Sequence, residues 1–331
     1  MQLKLFITTA LVTMTISFAL LLSTLGCNSS GESATTLYVA VGEGGLILLS
    51  SDGDAWTQAS SSGTITTSRL TGVSYGNGLW VAVGENTSTI INSSDGNTWT
   101  LATSSGDVTT EPLQDVAWGG SFFVAVGEGA TVIHSNDGDT WTTATNVMSA
   151  LDLLSVAYDG TSWWVTVGDG GELQHAQDIN DWSDTSDSRE TTTLGLRGVA
   201  HDGDGLWATV GLNGVILTSV DANGWPAATS SETTTNQNLT DVAHDGSGLW
   251  IAVGDGGSII HSSNGDSWSV SASSGTVTTN SLRGVTHNGS NRWVAVGLNG
   301  VIIHSSNGDS WSEAANSGAV SSELNAVAFK P

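Results

Sequence analysis

The chain is short of positive charge, of cysteine and of helical periodicity, and each shortage removes a class of protein. Its 331 residues include 7 Lys plus Arg against 32 Asp plus Glu, a formal net charge of -25. Such a field repels phosphate backbones and anionic lipid surfaces, which argues against nucleic acid as a partner. A lone cysteine, Cys27, cannot form an intramolecular disulfide. After residue 27 no stretch keeps an apolar period of 3.6, so a helical bundle or helical solenoid is not expected. What remains is a chain that is 38% hydrophobic and long enough to bury a substantial core. Its acidic surplus reads as a solvated surface, with weak cation binding as the alternative.

Residues 1-26 carry the pattern of an export signal. Lys4 supplies a basic start, and Leu5 to Leu22 is apolar apart from Thr and Ser. The following "TLGC", Thr24 to Cys27, resembles a bacterial lipobox, so Cys27 is expected to be lipidated and to become the first residue of the processed chain. A retained membrane anchor over Leu5 to Leu25 is the competing expectation. Residues 27-36 then form a tether, whose polar stretch "NSSGESATT" reaches ~30 Å when extended. Either way the rest is expected outside the cytoplasm, periplasmic or at the cell surface, touching the membrane through its anchor alone.

Residues 37-331 repeat. "HSSNGDSWS" occurs at His261 to Ser269 and again at His304 to Ser312, and its tryptophan belongs to a series: Trp56, Trp99, Trp141, Trp182, Trp225, Trp268 and Trp311. The intervals are 43, 42, 41, 43, 43 and 43 residues. A second landmark, the glycine of "VAVG" and its variants, falls at Gly42, Gly84, Gly127, Gly168, Gly211, Gly254 and Gly297. Within one period, short runs rich in Val, Ile, Trp and Thr alternate with Asn-Gly and Asp-Gly, which are hairpin signals. Four strands per period, seven times over, predict an all-β, seven-bladed propeller of four antiparallel strands per blade, monomeric. The first repeat lacks its opening strand, and "LNAVAF" at Leu324 to Phe329 supplies one at the other end. The ring is therefore expected to close by pairing that C-terminal strand with the N-terminal blade.

The tryptophans end a turn motif carried by Asp52 and Trp56, Asp95 and Trp99, Asp137 and Trp141, Asp178 and Trp182, Asp221 and Trp225, Asn264 and Trp268, and Asn307 and Trp311. With sequences such as "SSDGNTW" and "SNDGDTW" it resembles the Asp-box of sialidases and other propellers. The whole period, "L-x-x-V-A" followed by "W-V-A-V-G" and the Asp-box, resembles the photosystem II assembly and stability factor family of seven-bladed propellers over residues 37-329. The resemblance implies that fold and a non-catalytic scaffold. It also implies an arginine-rich surface patch for engaging a membrane-protein client, at a density of arginine that this chain lacks. In the motif itself the Asp or Asn is expected to accept backbone N–H groups, the Gly to supply φ > 0, and the Trp to pack on the sheet. These are structural roles, and a motif present in every blade is not a single catalytic centre.

The seven histidines fall in two repeat-locked positions, His134, His175, His261 and His304 before the Asp-box and His201, His244 and His287 at the end of an inner strand. Ligands of one metal converge on one point, whereas equivalent positions in different blades spread around a ring, so no metal and no cofactor is expected. A sialidase-like reading would imply an arginine triad with a tyrosine nucleophile, yet no catalytic residue is singled out. What differs between blades is more informative. The residue after the inner-strand leucine reads Thr71, Gln114, Leu154, Arg197, Thr240, Arg283 and Asn325, and a propeller places it at the channel. Arg69, Gln114, Arg197 and Arg283 are the candidate binding residues, either as an anion-binding mouth or as local ion pairs with Glu43, Glu128, Asp169 and Asp255 on the same face. The expected function is a non-catalytic, extracytoplasmic binding or assembly scaffold for a protein or glycan of the cell envelope. The alternative is a carbohydrate-active enzyme or glycan-binding module of sialidase-like architecture.

Overall fold

A computed structural model describes residues 37-330; the export segment, Cys27 and the tether lie outside the described residues. Seven sheets follow one another around a ring, each of antiparallel strands running from the channel outward. The first blade takes its innermost strand from the C-terminus. Leu324–Lys330 pairs with Leu37–Gly42, which pairs with Ile47–Ser50 and then with Thr57–Gln58. The closing register runs from Leu37 opposite Lys330 to Gly42 opposite Leu324. The propeller and its four-strand grammar thus stand as read, with two local departures. The fifth blade has three strands, Leu196–His201, Trp207–Gly211 and Ile216–Ser219, with a single bridge from Leu217 to Ala227 in place of an outer strand. The fourth gains an extra piece, Asn146–Val147, laid parallel against its outer strand Asp181–Asp184.

The core is divided among the seven gaps between neighbouring blades. One such cluster joins Val39, Val41 and Ile47 of the first blade to Leu70, Trp80 and Trp99 of the second, all buried. Period-2 alternation sends successive side chains of each middle strand into opposite gaps, so both faces of "VAVG" are apolar. The turn that follows needs glycine where the connection to the next blade passes against it. Gly45 and Gly257 sit at φ +71° and +72°, and a Cβ there would lie 2.0 Å from the carbonyl oxygens of Thr66 and Thr278.

Hydrogen bonds explain the Thr/Ser-rich connections and the Asp turns. In the first turn Ser50 Oγ accepts from Gly53 N at 2.8 Å, and Asp52 Oδ1 accepts from Asp54 N and Ala55 N, both at 2.9 Å. Those donors hold the carboxyl of Asp52 below the usual range, and backbone donors act likewise on Asp95, Asp137 and Asp221. The connection residues Ser61, Ser104, Ser230 and Ser273 accept from Trp99 N, Trp141 N, Trp268 N and Trp311 N, respectively, of the next blade at 2.8 to 3.0 Å. The connections are thus blade-to-blade staples along the rim, and their Ser and Thr content serves the ring.

The fourth blade departs from the pattern a second time. Glu172 and Gln174 are fully buried where the first blade has Leu46 and Leu48. Arg189 Nη1 lies 3.1 Å from Glu172 Oε2, and Asp184 accepts from both Arg189 Nη2 at 2.5 Å and Gln174 Nε2 at 3.1 Å. Burial pushes the Glu172 carboxyl up, against the pull of Arg189.

Candidate functional site at the channel mouth

Every inner strand carries a register shift at the same place. Leu70 and Gly72 oppose Gly84 and Val83, so Thr71 is an extra, unpaired residue, and the shift recurs in all seven blades. Such a bulge bends the strand and re-aims the extra side chain. Here the seven bulged residues are Thr71, Gln114, Leu154, Arg197, Thr240, Arg283 and Asn325, and together with Arg69 they line one pocket of about 290 Å³. Sequence reasoning placed these side chains at one mouth, and the fold brings all of them together there. The bulge itself has no signature in the strand pattern beyond its invariant position after leucine.

The ring is not equally available. Thr71 Oγ1 and Thr240 Oγ1 donate to the carbonyls of Leu113 and Leu282 in the next blade at 2.8 and 2.7 Å, and Asn325 Nδ2 donates to the Leu70 carbonyl at 2.7 Å. These three lock neighbouring inner strands. Arg69 is held by Glu43 at 3.1 Å, Glu85 at 2.9 Å and Glu323 at 3.5 Å, and its Nη2 also donates to Asn325 Oδ1. Arg283 meets Glu323 at 3.1 Å and Asp255 at 3.5 Å. Arg197 has a single acidic neighbour, Asp169 at 3.6 Å, with its side chain 39% exposed. Gln114 reaches Glu128 only at 3.5 Å. Burial pushes the Glu128 carboxyl up, aided by repulsion from Asp152, Glu85 and Glu111, so carboxylates crowd this mouth.

Below the mouth the channel narrows to a second space of about 140 Å³ that reaches Asp115 and Asp241. Sequence reasoning missed both. Asp115 Oδ2 accepts from Ser155 Oγ and Val156 N, each at 3.0 Å, and Oδ1 from Val116 N at 2.8 Å. Asp241 accepts from Val242 N and Val285 N, each at 2.8 Å. Each aspartate therefore bridges two blades. Removal from bulk water pushes Asp115 up to about 6 and Asp241 up to about 7, the latter also through repulsion from Asp115. The signal in the sequence was a charged residue where other inner strands have Gly72, Gly198 and Gly284.

The histidines lie elsewhere. His201, His244 and His287 pack on Trp207, Trp250 and Trp293 with ring centroids 4.6 Å apart, and their Nδ1 atoms accept from Gly203 N, Gly246 N and Gly289 N. Burial lowers all three pKa values. His134 and His304 meet Asn180 and Asp54, respectively, of the next blade. No three His, Cys, Asp or Glu converge on a common point among the described residues.

No protein-family model matches the sequence, and no curated protein matches it significantly. Solved structures do. YCF48 from Cyanidioschyzon merolae superposes with a TM-score of 0.61 at 16% identity, over 78% of this chain and 87% of that one. YCF48 bound to D1 peptide gives 0.62 at 16% identity, over 79% and 91%. The chain thus has the same seven-bladed propeller fold as YCF48, at an identity that speaks for the fold alone.

Proposed function

We propose that this protein is a non-catalytic scaffold that binds a protein partner through its channel mouth. The observation that carries the reading is the ring of seven bulges. The fold spends one irregular residue per blade on the mouth and fills those positions with different side chains, whereas the turns and tryptophans repeat. Thr71, Thr240 and Asn325 lock the inner strands, and the other four, Gln114, Leu154, Arg197 and Arg283, aimed from rigid strands at one point, make a recognition surface. One fold neighbour is YCF48 bound to D1 peptide, which supports a peptide segment as the occupant. Arg197, the least held by internal carboxylates of the three arginines at the mouth, is the residue assigned to a carboxylate of the partner, with Gln114 and Leu154 beside it. In this reading Cys27 is lipidated and the propeller works outside the cytoplasm, tethered to the membrane, with a protein of the envelope as its client.

The test is comparative capture from detergent-solubilised membranes of the source cell, using wild type and Arg197→Ala. Binding of the captured protein's segments as synthetic peptides is then measured by calorimetry. Arg197→Ala is expected to weaken peptide binding about tenfold or more, the loss of one charge-assisted hydrogen bond worth ~1.5–3 kcal/mol. Equal binding by both forms removes the mouth from consideration. Labelling of Cys27 by a palmitate analogue in cells checks the anchor.

A further inference from the structure

The opposite face holds a second, larger space that the seven-fold repeat does not explain. In five blades the Asp turn is closed by a serine and a glycine. Ser135 Oγ accepts from Gly138 N at 2.9 Å, and Gly138, at φ +72°, seats so closely on the neighbouring blade that a Cβ would lie 2.6 Å from Leu79 Cδ2. In the fourth blade, "AQDINDW" puts Ala176 in the serine position and Ile179 in the glycine position. A β-branched residue does not take φ > 0 without strain, and Ile179 is not among the positive-φ residues. The turn closes with Asp181 N donating to the Asp178 carbonyl at 2.9 Å, where Ala55 N of the first blade donates to the Asp52 side chain, while Trp182 Nε1 donates to the Ile179 carbonyl at 2.9 Å as the indoles of Trp99, Trp268 and Trp311 do in the regular turns. Ile179 rests half-buried on the apolar cluster between the third and fourth blades. A groove of about 610 Å³ opens between the third and fourth blades.

The lining has a definite chemistry. Phe122 and Tyr158, both half-buried, provide aromatic surface, and Tyr158 rests on the buried Trp164 with ring centroids 4.8 Å apart. Gln177, Asp178 and Asn180 stand over them. Asn180 is oriented by His134 Nε2, 3.1 Å from its Oδ1, and by Asp178 Oδ1, 3.4 Å from its Nδ2. Asp178 engages the protein through Oδ1 alone, which leaves Oδ2 to face outward. No arginine or lysine lines the groove, and its single charge is negative. The volume falls inside the range of about 300–1,000 Å³ usual for small-ligand sites. Strand addition by a peptide is obstructed on this blade, because Asn146–Val147 already covers the outer strand over Asp181 and Trp182.

We propose that this groove binds a neutral sugar, one or two residues of an uncharged glycan. Aromatic faces take the apolar C–H face of a pyranose, and planar amide and carboxylate side chains take its vicinal hydroxyls. The missing guanidinium or ammonium disfavours acidic sugars. The site lies on the opposite face from the channel mouth and does not depend on what the mouth binds.

Cellobiose, lactose, N,N′-diacetylchitobiose and digalacturonate are the probes, titrated into the purified propeller and followed by calorimetry. At least one neutral disaccharide is expected to bind, with digalacturonate at least tenfold weaker. Asp178→Asn and Gln177→Ala change exposed residues and are expected to weaken that binding about tenfold with unchanged thermal melting. Ala176→Ser with Ile179→Gly restores the regular turn and is expected to abolish binding, while Arg197→Ala leaves it unaltered. The proposal is overturned if none of the neutral sugars binds, if digalacturonate binds as well as they do, or if binding survives the Asp178 and Gln177 variants. Capture of a peptide instead of sugar, lost in the same variants, would also overturn it.

Discussion

Deleting Leu324–Pro331 tests ring closure directly, because the deletion removes the inner strand of the first blade and leaves every other strand in place. Leu324 is fully buried and Val327 is 8% exposed, so together they represent ~3–6 kcal/mol of apolar burial. The ladder from Leu37 opposite Lys330 to Gly42 opposite Leu324 adds backbone hydrogen bonds of ~1 kcal/mol each. Asn325 contributes bonds to Leu70 and Arg69 in the second blade. The loss is of the order of 10 kcal/mol, comparable with the whole stability of a typical domain, about 5–15 kcal/mol. Strand Leu37–Gly42 would also be left as an open edge beside the channel. The truncated chain is expected to be unfolded, or to associate through that edge, in urea denaturation followed by tryptophan fluorescence and in light scattering. A synthetic peptide of residues 323-331 is expected to restore the cooperative transition in a concentration-dependent way. A monomeric truncated chain with an unchanged urea midpoint would refute closure by this strand.

Two further predictions concern buried charge. The folded pKa values of Asp115 and Asp241, about 6 and about 7, lie above the unfolded value of ~3.9. Their stabilising contribution is therefore full below about pH 4 and is lost as pH rises to about 7, at up to ~1.4 kcal/mol per pH unit for each group. His201, His244 and His287, whose pKa values are lowered, change stability in the opposite sense near pH 6.5, so the quantity to measure is the difference between wild type and Asp241→Asn in urea melts from pH 4 to 8. A difference that does not vary with pH would refute the assignment. In the fourth blade, Arg189→Ala leaves the buried Glu172 carboxyl without its half-exposed cation and is expected to cost ~1–3 kcal/mol. The pair Glu172→Leu and Arg189→Gly, copying Leu46 and Gly63 of the first blade, is expected to be neutral or stabilising in the same melts; a double variant as unstable as Arg189→Ala alone would count against a simple ion-pair account.

The ring was readable because its chemistry is local. An Asp-Gly turn, a strand of alternating apolar residues and a tryptophan each announce themselves within a few residues, and repetition multiplied the signal seven times. The mouth was readable for the same reason, since a position counted from the inner-strand leucine has the same address in every blade. The bulge that aims those side chains was not, because an extra residue shows only against its partner strand. Nor were the pairings of charge. Arg69 is held by Glu323 from the far end of the chain, a contact fixed by closure rather than by anything near Arg69. The groove had a visible signal that was undervalued. "AQDINDW" keeps its Asp and Trp and so fits the series, while it lacks the serine and glycine that stand beside them in five other blades.

Closure has a mechanical consequence. Leu37–Gly42, the first described strand, is not an edge but lies between Leu324–Lys330 and Ile47–Ser50, antiparallel to both. Tension applied at residue 37 runs along the strand axis, perpendicular to the hydrogen bonds of two ladders. The bonds are then loaded together in shear, rather than opened one after another as they would be at a peeled edge. A propeller held from that end and pulled by a partner at its mouth would carry the load through the same strand pair that seals its ring.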